Sequence, residues 1–375
     1  MVIAVNTRLL IKGKLEGIGW FTCETLKRIT QNHKEHKFVF IFDRKPDQEF
    51  IFSDNISPVV IPPQTRHPLL WKIWFDYSLP IVFKKHKPDL FLSPDGYLSL
   101  RTKVKSLPVI HDINFVHYPQ DLPASTSNYY NKYFPKFAAK ATRIATVSEY
   151  SKQDISKSFS IPLDKIDVVY NGCNEMYKPL SAEEIEAVRN ARTNGEQYFV
   201  FVGALHPRKN VSRLLQAYDA FREETNCGVK MVIVGEKMFK TTDINSVYNS
   251  MKFRNDVIFT GRLSPADLRQ VVGSALALTF VPYFEGFGIP IIEAMNCDVP
   301  VITSNVTSMP EVAGDAALLT DPFSVDSIRD AMIKMYKDEK LRKTLIEKSI
   351  VQRQKFSWDK SAENLWNSVE KTLGQ

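Results

Sequence analysis

The stretch Tyr283-Phe284-Glu285-Gly286-Phe287-Gly288-Ile289-Pro290-Ile291-Ile292-Glu293-Ala294 constrains this chain more than any other. The residues before it, Ala275 to Pro282, are apolar and partly β-branched, a pattern that predicts a buried parallel strand. Pro290 fits the first turn of a following helix, where a missing N–H is tolerated. Gly286 and Gly288 allow a tight turn and let a ligand approach the backbone closely. Strand, glycine loop and helix N-terminus together predict an anion and hydroxyl site at the carboxyl edge of a sheet. Two carboxylates frame it: Glu285 in the loop, and Glu293, expected in the first turn of the helix. An ionised carboxylate accepts strongly from sugar hydroxyls. The plainer alternatives are a helix-dipole role for Glu293 and a solvated loop role for Glu285.

The spacing of Glu285 and Glu293 resembles the E-x7-E signature of retaining nucleotide-sugar glycosyltransferases of family 4, which have the two-domain GT-B fold. The likeness continues through Ala294-Met295, Pro300 to Asn305 and Pro310 to Ala317, and is strongest between about Gln197 and Pro322. It implies two doubly wound, Rossmann-like α/β domains facing a central cleft. A length of 375 residues independently favours two domains over one. The expected boundaries are 1–172 for an acceptor-side domain, 173–356 for a nucleotide-sugar domain, and a terminal helix, 357–375, returning to the first.

Hydrophobic content of 44% and charged content of 24% describe a globular chain. No apolar run reaches the length of a spanning helix, and no signal-peptide pattern follows Met1. Cys23, Cys173, Cys227 and Cys297 show neither metal nor disulfide spacing, so a reducing, cytoplasmic setting is expected. The net charge is +7. Residues 1–175 hold 24 Lys and Arg against 17 Asp and Glu, whereas the remainder balances at 25 against 25. The basic half suits anionic lipid headgroups, at the inner face of a cytoplasmic membrane, or a phosphate-bearing acceptor. Nucleic acid is not expected, because no nucleic-acid motif accompanies the charge.

In the first half, strands are expected at Val2–Asn6, Lys37–Phe42, Val59–Ile61, Asp89–Leu92, Val109–Ile110, Arg143–Val147 and Lys165–Tyr170. Gly17 and Gly19 resemble the family's first glycine loop, which implies contact with donor phosphates or acceptor. Residues 66–86, with Trp71, Trp74, Phe75, Tyr77, Lys84 and Lys85, read either as a helix packing aromatics into the core, which is favoured, or as an interfacial segment. His111 follows an expected strand at its carboxyl end, where open α/β sheets place ligands. The resemblance of Ile110-His111-Asp112-Ile113 implies contact with donor sugar or acceptor; His117 is expected to be structural. Ser148 is a helix-cap candidate, and the polar run through Gly195 reads as a linker.

In the second half, Tyr198–Val202, Lys230–Gly235, Val257–Gly261 and Pro300–Ser304 are expected strands. Gly203 to Asn210 is expected to open a helix. Arg208 and Lys209 at a helix start oppose its dipole, which suggests a bound anion such as a diphosphate. Val325 to Ile350 reads as one helical stretch, and Ser357-Trp358 opens the last helix.

The resemblance implies hexosyl transfer from a nucleotide-diphosphate sugar to a hydroxyl of a glycan or lipid-linked glycan, with retention, in cell-surface polysaccharide synthesis. Arg208, Lys209 and helix N–H groups would take the leaving diphosphate. Glu285 would orient sugar hydroxyls, Glu293 the ribose, and His111 the donor sugar. The amides of Gly286, Phe287, Gly288 and Ile289 would help hold sugar and phosphate. No cofactor is expected beyond the donor substrate. No metal is expected either, since D-x-D is absent and the two cations supply the charge. The Pro207-Arg208-Lys209-Asn210 form of the motif resembles bacterial mannosyltransferases and points to GDP-mannose. A nucleotide-sugar epimerase of the same fold and a non-catalytic nucleotide-sugar-binding subunit are the alternatives.

Overall fold

The computed structural model describes residues 1–236 and 242–374. It divides into two compact units, Met1–Gly172 with Ser357–Gln375, and Cys173–Phe356.

In the first unit, runs rich in Val, Ile and Phe form short strands: β1 Val2–Asn6, β2 Lys37–Phe42, β3 Ile56–Val60, β4 Leu90–Ser93, β5 Lys105–Pro108, β6 Ile144–Thr146 and β7 Ile166–Val168. The order is β3-β2-β1-β4-β5, all parallel. A parallel bridge from Val109 to Ala145 links this sheet to the β6–β7 pair. Strand order reverses between β1 and β4, so their carboxyl ends open the crevice where doubly wound sheets bind ligands. Strand β5 thus lies earlier than expected, and Val109 and Ile110 carry the chain towards β6.

Gly17 and Gly19 do not form a loop. Both lie in the first turn of the helix Gly17–Asn32. Gly19 is buried there, with room for a Cβ limited by Leu15 Cδ2 at 3.1 Å. The last helix, Trp358–Leu373, packs in the same unit. A Cβ on Gly172 would lie 2.2 Å from the Trp358 nitrogen, so only glycine permits that approach. The Arg28 side chain pairs with Asp359 at 2.5 Å.

Residues 66–86 form a helix Pro68–Ile73, a π-helical turn Trp74–Ser78 and a helix Leu79–His86. Pro80 offers no N–H to the Asp76 carbonyl, and the Leu79 N–H instead reaches Trp74, five residues back. Trp74, Phe75, Leu79, Val82 and Phe83 enter the core.

The second unit holds β8 Tyr198–Val202, β9 Lys230–Val234, β10 Val257–Gly261, β11 Ala277–Phe280, β12 Val301–Ser304 and β13 Ala317–Thr320. Their order is β10-β9-β8-β11-β12-β13, again parallel, reversing between β8 and β11. The expected linker contains a helix, Ala182–Thr193, opened by a capping box in which Ser181 and Glu184 satisfy each other's backbone N–H groups. The stretch read as one helix from Val325 is two, Val325–Lys337 and Glu339–Gln352. Asp338 ends the first and caps the second by accepting from the Leu341 N–H.

Candidate functional site

The second sheet's reversal brings the chain after β8 next to the chain after β11. Gly203 leaves β8 with φ +151° and faces Gly235 after β9. A Cβ on Gly235 would lie 1.9 Å from the Gly203 carbonyl oxygen, so glycine is required. His206, buried, accepts the Arg208 N–H on Nδ1 at 3.3 Å and starts a 3-10 turn, Pro207–Lys209. Asn210 then adopts the left-handed conformation at φ +63°, which asparagine tolerates better than most residues. The helix Val211–Thr225 begins only after it. Arg208 and Lys209 therefore stand in a turn ahead of the helix, not within its first turn.

Asn210 also binds the loops together. Its buried amide donates to the carbonyls of Val281, at 3.0 Å, and Pro322, at 2.7 Å. The Tyr283 N–H reaches the Arg208 carbonyl at 3.1 Å. These bonds hold the two cations over the loop that carries Glu285. Arg208 Nη1 lies 2.5 Å from Glu285 Oε2, and Lys209 Nζ bonds the same oxygen. Arg208 also reaches the Phe284 carbonyl at 3.2 Å. Burial pushes the Glu285 carboxyl up, but the charges and hydrogen bonds of Arg208 and Lys209 outweigh it and hold it below its ordinary value.

Glu285 was expected on sugar hydroxyls; the structure pairs it with both expected phosphate ligands. Gly286 and Phe287 follow in the loop, both buried, with Phe287 edge-on to Phe356 at 5.4 Å. Gly288 has φ +97° and a Cβ there would meet Met309 Cε at 2.9 Å. It precedes the helix Ile289–Asn296 without a side-chain cap; Pro290 has no N–H and the Ile291 N–H is taken by the Gly288 carbonyl at 3.0 Å, so the amide at Ile289 is the first-turn group left for a ligand. Glu293 lies beyond the first turn, which holds no acidic residue, so the dipole alternative does not apply to it. Burial pushes its carboxyl up to about 7, against a hydrogen bond from Tyr177 that lowers it.

In the first unit, His111 Nε2 donates to the Pro94 carbonyl at 2.8 Å, and its ring meets Phe21 edge-on at 5.0 Å. Burial lowers its pKa. The Nε2 contact leaves Nδ1 as the acceptor of the neutral ring. Phe21 belongs to the helix of Gly17 and Gly19, so the structure brings that helix and His111 together. Ser148 caps the helix Glu149–Phe159, and Ser151 Oγ donates to the His111 carbonyl at 3.2 Å. His117 pairs with Asp154 at 2.8 Å on an exposed surface, a structural contact.

Sequence reasoning missed Asn210, Tyr177 and a buried pair at the first reversal. Arg8 Nε lies 2.6 Å from Asp95 Oδ2, and Asn6 donates to Asp95 Oδ1 at 2.7 Å. The guanidinium of Arg8 covers the Tyr97 ring at 4.4 Å. A polar Asn-Thr-Arg run directly after an apolar strand is the one signal that pointed there. Among the described residues, the one group with metal-ligand spacing is His33, Glu35 and His36, which includes no expected site residue.

Two family models match the chain: Glycosyltransferase Family 4 over residues 16–175 and Glycosyl transferases group 1 over residues 183–352. O-antigen chain mannosyltransferase B of Escherichia coli is 28% identical over 360 residues, covering 93% of this chain and 94% of that protein. O-antigen chain mannosyltransferase RfbU of Salmonella typhimurium is 27% identical, over 60% of this chain and 58% of that one. Among solved structures, WaaG, a glycosyltransferase involved in lipopolysaccharide biosynthesis, superposes with a TM-score of 0.76 at 16% identity, covering 97% and 98% of the two chains. HepE of Anabaena in complex with UDP-glucose superposes with a TM-score of 0.74 at 16% identity, covering 99% and 100%.

Proposed function

Since the chain belongs to the GT-B glycosyltransferases, with a family 4 domain and a group 1 domain, we propose that it moves a mannosyl group from GDP-mannose to a hydroxyl of a growing cell-surface glycan, with retention. The observation that carries this reading is the convergence of Arg208 and Lys209 on Glu285 beside the first turn of the helix Ile289–Asn296. That arrangement suits a nucleotide diphosphate. The similarity to O-antigen mannosyltransferases supports mannose as the sugar and a cell-surface glycan as the acceptor.

In this reading the donor diphosphate takes the place of the Glu285 carboxylate on the two cations. Negative charge grows on the diphosphate as the sugar–oxygen bond breaks, and preorganised donors aimed at that charge lower the barrier. Arg208, Lys209 and the N–H groups of Gly288 and Ile289 are those donors. Glu285, released from the cations, accepts from sugar hydroxyls and fixes the sugar's orientation. Glu293 accepts from the ribose hydroxyls. His111 is the first unit's candidate for the transferred sugar, and Gly17 and Gly19 for its backbone contacts. The reading uses no cofactor and no metal, because the two cations compensate the diphosphate. It also places the reaction in the cytoplasm, in keeping with four free cysteines.

The test is a donor panel read by thermal shift and by hydrolysis in EDTA, on wild type, Arg208→Ala and Glu293→Ala. GDP-mannose is expected to stabilise wild type most, and both substitutions to weaken the shift. Stabilisation by a UDP-sugar instead would replace the donor. Binding without transfer or hydrolysis would favour the non-catalytic subunit, and interconversion of free nucleotide sugars the epimerase.

A further inference from the structure

Residues 66–86 bury one side and leave another uncovered. Leu69, Ile73, Tyr77 and Ile81 are 62%, 37%, 54% and 71% exposed, although each is large and apolar or aromatic. They are spaced four apart. In an uninterrupted α-helix such a row drifts by about 40° per step. The π-helical turn Trp74–Ser78 lies between Ile73 and Ile81, and its wider winding takes out part of that drift. The four side chains therefore form one row opposite Trp74, Phe75, Leu79, Val82 and Phe83. Isolated exposed apolar residues need no explanation, but an aligned row does.

Cations border the row. Arg101 stands over the Tyr77 ring at 4.5 Å. Lys72, Lys132 and Lys136 lie within 6 Å of the Tyr133 ring, at 5.9, 5.7 and 5.8 Å. The last two come from the helix Ala124–Lys140, which contains no acidic residue. Lys84 and Lys85 extend the row's far end, and Asp76 is the one acid within residues 66–86. Its carboxylate is turned to the Leu100 N–H at 2.9 Å.

We propose that this face docks on an anionic lipid surface, the row entering the headgroup layer and the lysines and arginine meeting lipid phosphates. A row of three aliphatic side chains and one tyrosine with flanking lysines fits that plane. A second copy fits worse, since a two-fold contact would bring the same lysines face to face. Nucleic acid would engage the cations but leave Leu69 and Ile81 without a role. The proposal does not depend on the choice of donor, and vesicle binding is measured without substrate.

The experiment is co-sedimentation of the full chain with vesicles of phosphatidylethanolamine and phosphatidylglycerol, and with phosphatidylcholine alone. The variants are Leu69→Glu/Ile81→Glu and Lys132→Ala/Lys136→Ala, each checked by circular dichroism and by its thermal shift with GDP. Wild type is expected to bind the anionic vesicles and not the neutral ones. The glutamate pair is expected to weaken binding at least tenfold, and the alanine pair about thirtyfold. The GDP shift should stay unchanged in both. No binding by wild type, equal binding to neutral vesicles, or binding unaffected by either pair overturns the proposal. A lipid-free oligomer that the glutamate pair dissociates also overturns it, in favour of an interface between copies.

Discussion

Arg208 and Glu285 are joined across the reversal point of the second sheet, Nη1 to Oε2 at 2.5 Å, with Lys209 on the same oxygen. The carboxylate thus sits where the proposed reading puts the donor's diphosphate. Changing Glu285→Gln removes the charge that competes for these cations while keeping the shape. Free GDP should bind as tightly or more tightly to the variant, while kcat for transfer falls by at least about tenfold through lost orientation of the sugar. Calorimetric titration with GDP and initial rates separate the two effects.

The same pair sets part of the acid stability. Because Glu285 has a folded pKa below its ordinary value, its contribution is present at neutral pH and lost as pH falls below about 4.5. Urea unfolding of wild type from pH 7 to pH 3 should show a steeper loss than Glu285→Gln. Parallel curves would place the stabilising charge elsewhere.

Glu293 works in the opposite direction. Its folded carboxyl, near 7, binds a proton that the unfolded chain has released above about 4.5. The native state therefore holds more protons between these values, and stability falls as pH rises from 4.5 to 7, by up to about 3 kcal/mol, then levels off. Glu293→Gln should flatten that slope and raise the melting temperature at pH 8. If the ionised carboxylate accepts from ribose, donor affinity in wild type should rise through pH 7, and the glutamine variant should lose this dependence.

Asn210 carries the loop geometry. Asn210→Ala leaves the Val281 and Pro322 carbonyls without its amide and puts alanine at φ +63°. Two unsatisfied buried acceptors cost about 2–4 kcal/mol, which should appear as a lower unfolding midpoint. Donor affinity should drop as well, because the turn bearing Arg208 loses its tether.

Local signals were legible in the sequence. The apolar runs at Val2–Asn6 and Tyr198–Val202 are strands over those residues, and Ser148 and Ser357 cap the helices they precede. The helix Ala182–Thr193 was hidden by its polarity: one buried residue gives it almost no apolar stripe, and only its capping box marks it. The break at Asp338 was hidden because apolar residues continue at helical spacing on both sides. Pairings between distant residues were not legible. Asn210 and Pro322 are 112 positions apart, Arg8 and Asp95 87, and neither contact follows from local pattern. Glu285 could be placed in the site from sequence, but its pairing with Arg208 and Lys209 needs the loops of β8 and β11 brought side by side. In residues 66–86 the favoured reading, aromatics packed into the core, was legible, whereas the π-turn Trp74–Ser78 that interrupts the helix was not, because it follows from the missing N–H of Pro80 and not from apolar spacing.

The most direct test is calorimetric comparison of GDP with GMP, in EDTA, on wild type and Arg208→Ala. A site built around a diphosphate predicts that wild type prefers GDP by about a hundredfold or more, as befits charge-assisted contacts to the second phosphate, and that Arg208→Ala removes most of that preference while leaving GMP binding nearly unchanged. Equal affinity for GDP and GMP in wild type, or a preference that survives Arg208→Ala, would contradict the assignment of Arg208 and Lys209 to the leaving group.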